Sequence, residues 1–158
     1  MSQRDRIPVD ETGELIAKTA PDQLVVNGIV GNGAVVSFQI RGGMNRGTAF
    51  LFEIHGEEGD LQLTATSRAS MQRQELSVKA ARGDAKELAD LAIPEKYRWV
   101  PQGIAPDSRY NVAQLYARLA ESIRSGKPVS PGFDAAVTRH RLLDAIVRAS
   151  ETGMKQIL

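Results

Sequence analysis

Residues 52–63 read FEIHGEEGDLQL. Two runs with alternating apolar residues flank the four residues GEEG, and glycines at such a corner let the backbone reverse with no side chain in the way. The stretch reads as two antiparallel strands and a tight bend. It leaves a question about His55: does the residue at the bend carry chemistry, or does it serve the sheet?

Working outward, the runs QLVVNGIV, AVVSFQI, TAFLFEIH, DLQLTAT and QELSVKA are each rich in β-branched or aromatic residues. They are separated by Asn32-Gly33, by GGMNRG and by residues 56–59, and Asn-Gly between two such runs signals a hairpin. Alternate positions place Phe50, Phe52 and Ile54 on one face, with Leu61, Leu63 and Ala65 on the next strand and Leu76, Val78 and Ala80 on the last. The opposite face holds Ser37, Gln39, Glu53, His55, Gln62, Thr64, Glu75, Ser77 and Lys79. An antiparallel sheet can leave such a mixed polar face open.

Past the strands, AKELADL gives a short helical signal, followed by a stretch interrupted by Pro94, Pro101 and Pro106 and carrying Tyr97 and Trp99. It reads as an extended loop pinned by aromatics. Two amphipathic helices follow. In NVAQLYARLAESIRSG the residues Val112, Leu115, Tyr116, Leu119 and Ile123 recur at helical spacing, with Asn111 as the N-cap and Gly126 as the stop. In FDAAVTRHRLLDAIVRASETG the stripe is Val137, Leu143, Ile146 and Val147, closing at Gly153. The expected fold is α+β, a mostly antiparallel open-faced β-sheet with helices packed on one face. Residues 1–22 are polar and broken by Pro8, Gly13 and Pro21, an arm expected to order only by packing on something.

With 158 residues, 42% of them hydrophobic, the chain is long enough for one domain with a core. A formal net charge of +1 gives no general attraction to nucleic acid, and no long uncharged apolar run suggests a membrane span. There are no cysteines, so disulfides, thiolate metal sites and cysteine nucleophiles are excluded, and the two histidines lie far apart. No apolar signal segment is visible at the amino terminus, so the expected location is the cytoplasm.

Several groups have the chemistry of a site. Glu53 and His55 share the polar face and could form an acid/base pair, but no nucleophile is marked out beside them, and a partly buried histidine at a strand end is the stronger reading. His140 and Asp144 are four apart on the last helix, where a pair on the helix face outweighs a metal site. Arg41 to Gly47, RGGMNRG, offers exposed amides and guanidinium groups for a phosphate or a sugar hydroxyl, and serves equally as a hairpin loop. Glu95-Lys96 reads as solvated charge in a proline-rich loop. No G-x-G-x-x-G opens a βαβ unit and no P-loop is present, so no cofactor-binding or metal site is expected on this chain.

Taken in order, TAPDQLVVNGIVGNGAVVSFQIRGG, FEIHGEEGDLQL, EKYRWVP and the two helical stretches resemble the carboxy-terminal domain of Gfo/Idh/MocA-type oxidoreductases. The branch it is most similar to includes the fungal galactose-regulon repressor. The resemblance runs from about Thr19 to the end, which sets off residues 1–18 as an arm from a single domain over 19–158. It implies a glyceraldehyde-3-phosphate dehydrogenase-like carboxy-terminal domain that shapes a substrate pocket and forms homo-oligomers through its open sheet. An amino-terminal Rossmann domain in the parent protein would hold NAD or NADP.

The family's glycine fingerprint, its E-K-P motif and its D-x-x-x-H pair have no counterpart here. Glu95-Lys96-Tyr97 stands elsewhere without the proline, and the pair in HRLLD has reversed order, so no catalytic residue is carried over. By the same resemblance His55 belongs to a sheet corner. The resemblance therefore implies the substrate-binding and oligomerisation part of a NAD(P)-dependent sugar or polyol oxidoreductase. Arg41, Met44, Asn45, Arg46, Arg98 and Trp99 are expected nearest a sugar-like substrate, because they can bond hydroxyls or stack on a ring. The rival expectation is a stand-alone, non-catalytic oligomeric module of sugar metabolism. A phosphate- or sugar-binding protein built on Arg41 and Arg46 ranks last.

Overall fold

The structure is a computed structural model describing residues 5–43, 46–65, 76–101, 103–104 and 108–158. Its strands are β1 (Arg6–Pro8), β2 (Leu15–Ala17), β3 (Gln23–Val30), β4 (Ala34–Arg41), β5 (Phe50–Gly56), β6 (Gly59–Ala65), β7 (Ser77–Arg82) and β8 (Ala89–Asp90). A short 3-10 turn, Glu95–Tyr97, precedes α1 (Ser108–Ser125) and α2 (Phe133–Thr152). Every strand pair is antiparallel, so the α+β class with an antiparallel sheet holds.

The strands form three sheets, β1-β2, β3-β4 and β5-β6-β7-β8. The connection from β4 to β5 is fixed separately at its two ends. The Gly42 amide donates to the Asp22 carbonyl at 2.6 Å, and the Ala49 amide donates to the Ala65 carbonyl at 2.8 Å. The chain divides into two compact units, residues 1–44 with 146–156 and residues 45–145 with 157–158.

In the first unit, β1 and β2 pair Ile7 with Ile16, so the expected amino-terminal arm contains a short hairpin. Its loop closes through bonds from the Gly13 amide to the Val9 carbonyl and from the Val9 amide to the Glu14 carbonyl. The β3–β4 hairpin forms as expected, but through three residues, Gly31, Asn32 and Gly33, with the positive φ values of 56° and 116° at the two glycines. Asn32 therefore needs no left-handed conformation. One face of this hairpin carries the half-buried Leu24, Val26, Val36 and Phe38; the other exposes Val25, Ile29 and Val35 beside Ser37 and Gln39. Just ahead of β3, Lys18 donates to Asp22 across 2.5 Å, and this hydrogen bond holds the Asp22 carboxyl below its ordinary value.

In the second unit the expected faces are realised by register. Phe50, Phe52 and Ile54 oppose Ala65, Leu63 and Leu61, and Leu61 and Leu63 oppose Ala80 and Val78. Burial deepens from the edge strand inward. Phe52 and Ile54 are about half exposed, while Leu61, Leu63 and Val78 are half-buried and Ala65 is buried. The AKELADL segment does not form a helix. Its Ala89 and Asp90 pair with Ala80 and Lys79, and the Leu91 amide donates to the Val78 carbonyl. A single turn of helix fixes several residues for one bond, whereas the free edge of β7 offers ready backbone partners.

Helix α1 starts at Ser108, a turn before Asn111, which therefore is not its cap. Gly126 and Gly153 end the helices as expected, both in the left-handed region at φ 67°. The apolar stripe of α1 does not lie against the sheet: Val112, Leu115, Tyr116 and Ile123 are 52–74% exposed. The half-buried side is Tyr110, Ala113, Gln114 and Ala117, because small residues and an amide allow a nearby loop to approach closely. Among the described residues no helix is long and apolar enough to cross a membrane.

Gly59 is the tightest point of the sheet. A Cβ there would stand 2.2 Å from the Ala81 carbonyl oxygen, while one at Gly56 would meet nothing closer than 3.4 Å. Gly59→Ala is therefore expected to destabilise the fold by about 1–3 kcal/mol, the usual cost of forcing atoms into occupied space. Gly56→Ala should cost clearly less. Urea titration of both variants checks this, and equal midpoints would contradict it.

Candidate functional site

Two regions of the second unit present concentrated polar chemistry. The first is the open face of the four-stranded sheet. Register places Glu53, Gln62, Lys79 and Asp90 in one row across four strands, and Leu51, Thr64 and Ser77 in the next such row. Gln62 Nε2 donates to Glu53 Oε1 at 2.8 Å. Glu53 is thus engaged by its cross-strand neighbour and does not pair with His55.

His55 lies at the hairpin end, with its Nδ1 2.9 Å from Asp60 Oδ1. It is not partly buried as expected, since its side chain is 72% exposed. Its partners in register are Asp60 and then Ala81, so no hydroxyl faces it across the strands. Beyond the bend, Arg82 pairs with Glu58 at 2.8 Å. These contacts join strand ends in solvent.

The second region is a corner made by Trp99 and α1. Three hydrogen bonds knit it through one amide. Gln114 Oε1 accepts from the backbone N–H of Trp99 at 2.7 Å and of Val100 at 3.1 Å, and Gln114 Nε2 donates to the Tyr97 carbonyl at 2.9 Å. The Trp99 indole N–H donates to the Lys96 carbonyl at 3.0 Å, closing the 3-10 turn. The Arg118 guanidinium stacks 4.5 Å from the Trp99 ring centre, and the Lys96 ammonium stands 5.1 Å from that of Tyr97. The loop is therefore pinned by aromatics, as its sequence suggested.

Beside this corner opens a cavity of about 460 Å³ lined by Trp99, the last turns of α1 and residues 127–130. Arg118, Arg124 and Lys127 bring cationic groups to its wall, and Glu121 brings a carboxylate. The volume falls in the range of small-molecule sites, roughly 300–1,000 Å³.

Of the residues expected at a pocket, Arg98 and Trp99 are adjacent here, with Arg98 Nε 3.7 Å from Glu95 Oε1. Trp99 lines the cavity. Arg41 ends β4 opposite Gln23 in the first unit, and Arg46 is an exposed residue of the second. Met44 and Asn45 lie outside the described residues. On α2, no bond joins His140 to Asp144 among the described residues, and no group of three or more His, Cys, Asp or Glu there could hold a metal ion. Gln114, Arg118, Arg124 and Lys127 were not expected. Only the break in the apolar pattern at Ala113-Gln114 and Ala117-Arg118 pointed to a second, polar face of α1.

An α+β domain with an antiparallel, two-faced sheet is the class these features define. Residues 5–65, spanning β1 to β6, match the family model described as Gal80p, C-terminal domain. Over that stretch the chain is like the carboxy-terminal domain of the Gfo/Idh/MocA-type branch, and the match begins earlier than Thr19, taking in the β1–β2 hairpin. No curated protein and no solved structure matches the chain.

Replacing Gln114 with Ala removes a partner from three backbone groups at once. At about 0.5–1.5 kcal/mol net for each bond, the corner should loosen measurably. Amide exchange at Trp99 and Val100 is expected to quicken by at least tenfold, and unchanged exchange would mean that something other than Gln114 holds the loop.

Proposed function

We propose that this chain is the substrate-shaping and oligomerisation domain of a NAD(P)-dependent oxidoreductase acting on a sugar or polyol. In this reading a Rossmann domain elsewhere in a longer protein holds the nicotinamide cofactor. Hydride passes between that ring and a hydroxyl-bearing carbon which this domain helps to position. The protein works in the cytoplasm, without nucleic acid or membrane as partner. The observation that carries the reading is the match of residues 5–65 to the Gal80p carboxy-terminal domain family. The absence of any dinucleotide fingerprint in the sequence fits a division of labour between two domains.

The test is the mass of the denatured polypeptide in lysate of its source cells, read with an antibody against this chain. A species far above 17.2 kDa supports the two-domain enzyme. A species at 17.2 kDa transfers the proposal to a stand-alone oligomeric binding module, which the same family match allows.

Either version uses the polar sheet face as the contact between subunits. A standard interface buries about 1,600 Å² in total. Thr64 and Ser77 face one another on that side of β6 and β7. Changing both to lysine would bring four added charges into a symmetric contact, where unpaired charge is strongly unfavourable. The oligomer is expected to sediment as a monomer with unaltered circular dichroism. Sedimentation that stays the same in the folded double variant rules this face out.

A further inference from the structure

The cavity beside Trp99 has a composition that its surroundings do not require. Three cationic side chains, Arg118, Arg124 and Lys127, share its wall with one carboxylate, Glu121. Glu121 is engaged with Arg124 at 2.6 Å, on the surface, where such a pair is weak and readily shared with another anion. Stacking occupies the flat face of the Arg118 guanidinium and leaves its N–H donors at the rim. The rest of the lining mixes hydroxyls, Ser122, Ser125 and Ser130, with the apolar Trp99, Ala117, Pro128 and Val129.

The geometry is fixed by backbone contacts. Gly126, at φ 67°, turns the chain after α1, and the Ser122 hydroxyl donates to the Lys127 carbonyl, tying the turn to the helix. Ser125 donates to the Glu121 carbonyl at 2.8 Å. The Ser125 hydroxyl also reaches the Ser122 carbonyl, one of the last four of α1, at 3.5 Å, and the charges of Arg124 and Lys127 offset the negative end of the helix that an anion here would face. The indole of Trp99, held in place by its bond to the Lys96 carbonyl, also lines the cavity.

We propose that this cavity binds a sugar or polyol bearing a single oxyanion, a phosphate or a carboxylate. The anion sits among Arg124, Lys127 and the rim of Arg118, with the carbon skeleton against Trp99. A bare anion leaves the indole wall unused, and a neutral sugar leaves the cations unanswered. The proposal stands apart from the oxidoreductase reading, because it needs no group outside this chain.

Trp99 is the sole tryptophan of the sequence, so its fluorescence reports directly on the cavity. The full chain would be titrated with glucose 6-phosphate, gluconate, glucose and inorganic phosphate, by fluorescence and in parallel by calorimetry, which does not depend on the indole. Glucose 6-phosphate or gluconate is expected to saturate below about 1 mM, at least tenfold tighter than glucose or phosphate alone. Whichever of the two binds more tightly identifies the anion. Lys127→Met and Arg124→Met, both at exposed side chains, should each weaken that binding about tenfold, as loss of a charge-assisted bond does. No saturation by either compound up to about 10 mM overturns the proposal. So does equal binding of inorganic phosphate or of glucose, or binding that both variants leave intact.

Discussion

The passage of Gly59 against the Ala81 carbonyl sets the register on which the second unit depends. Only a residue without a side chain can stand there, since a Cβ would lie 2.2 Å from that oxygen. With Gly59 opposite Arg82, the pairs Leu61–Ala80 and Leu63–Val78 follow, and with them the separation of an apolar face from a polar one. A slip of one residue would exchange the two faces completely. The row of Glu53, Gln62, Lys79 and Asp90 thus exists because a glycine occupies one position of the corner.

The second unit is also marked by what its elements leave uncovered. Val112, Leu115, Tyr116 and Ile123 of α1 stay mostly exposed, as does Phe133 at the start of α2. Burial of a large apolar side chain contributes roughly 1.5–3 kcal/mol, so a stripe of four withholds a sum comparable with the whole stability of an ordinary domain. Strand pairing and the Gln114 bonds hold the unit's local structure without that contribution. A domain that functions inside a larger assembly, as proposed here, can leave such a stripe to be covered by another surface.

How far the sequence could be read depended on whether a pattern was local. The alternation at Phe50, Phe52 and Ile54, and its echo at Leu61 and Leu63, was legible because strand faces follow a period of two and register only aligns them. The stops at Gly126 and Gly153 were legible from the left-handed backbone that glycine favours. Strand β8 was not legible. Its residues have helical preference, and the free edge of the preceding strand β7 overrode it. The β1–β2 hairpin escaped because three pairs with Pro8 at one end give too short a pattern. At the Trp99 corner the loop and its aromatics were visible, but Gln114, Arg118, Arg124 and Lys127 come together only through helix spacing and a turn, with no motif to announce them.

Helix spacing also explains how α1 serves two purposes. At about 100° per residue, Gln114, Arg118, Glu121 and Ser125 fall within a narrow sector of the helix. That sector ties down the loop at one end and lines the cavity at the other. Val112, Leu115, Tyr116, Leu119 and Ile123 cluster on roughly the opposite side. A surface covering the apolar stripe would therefore approach α1 from the side away from Trp99. Assembly through the stripe and ligand binding in the cavity are then compatible on one helix, because each uses a face that the other leaves open.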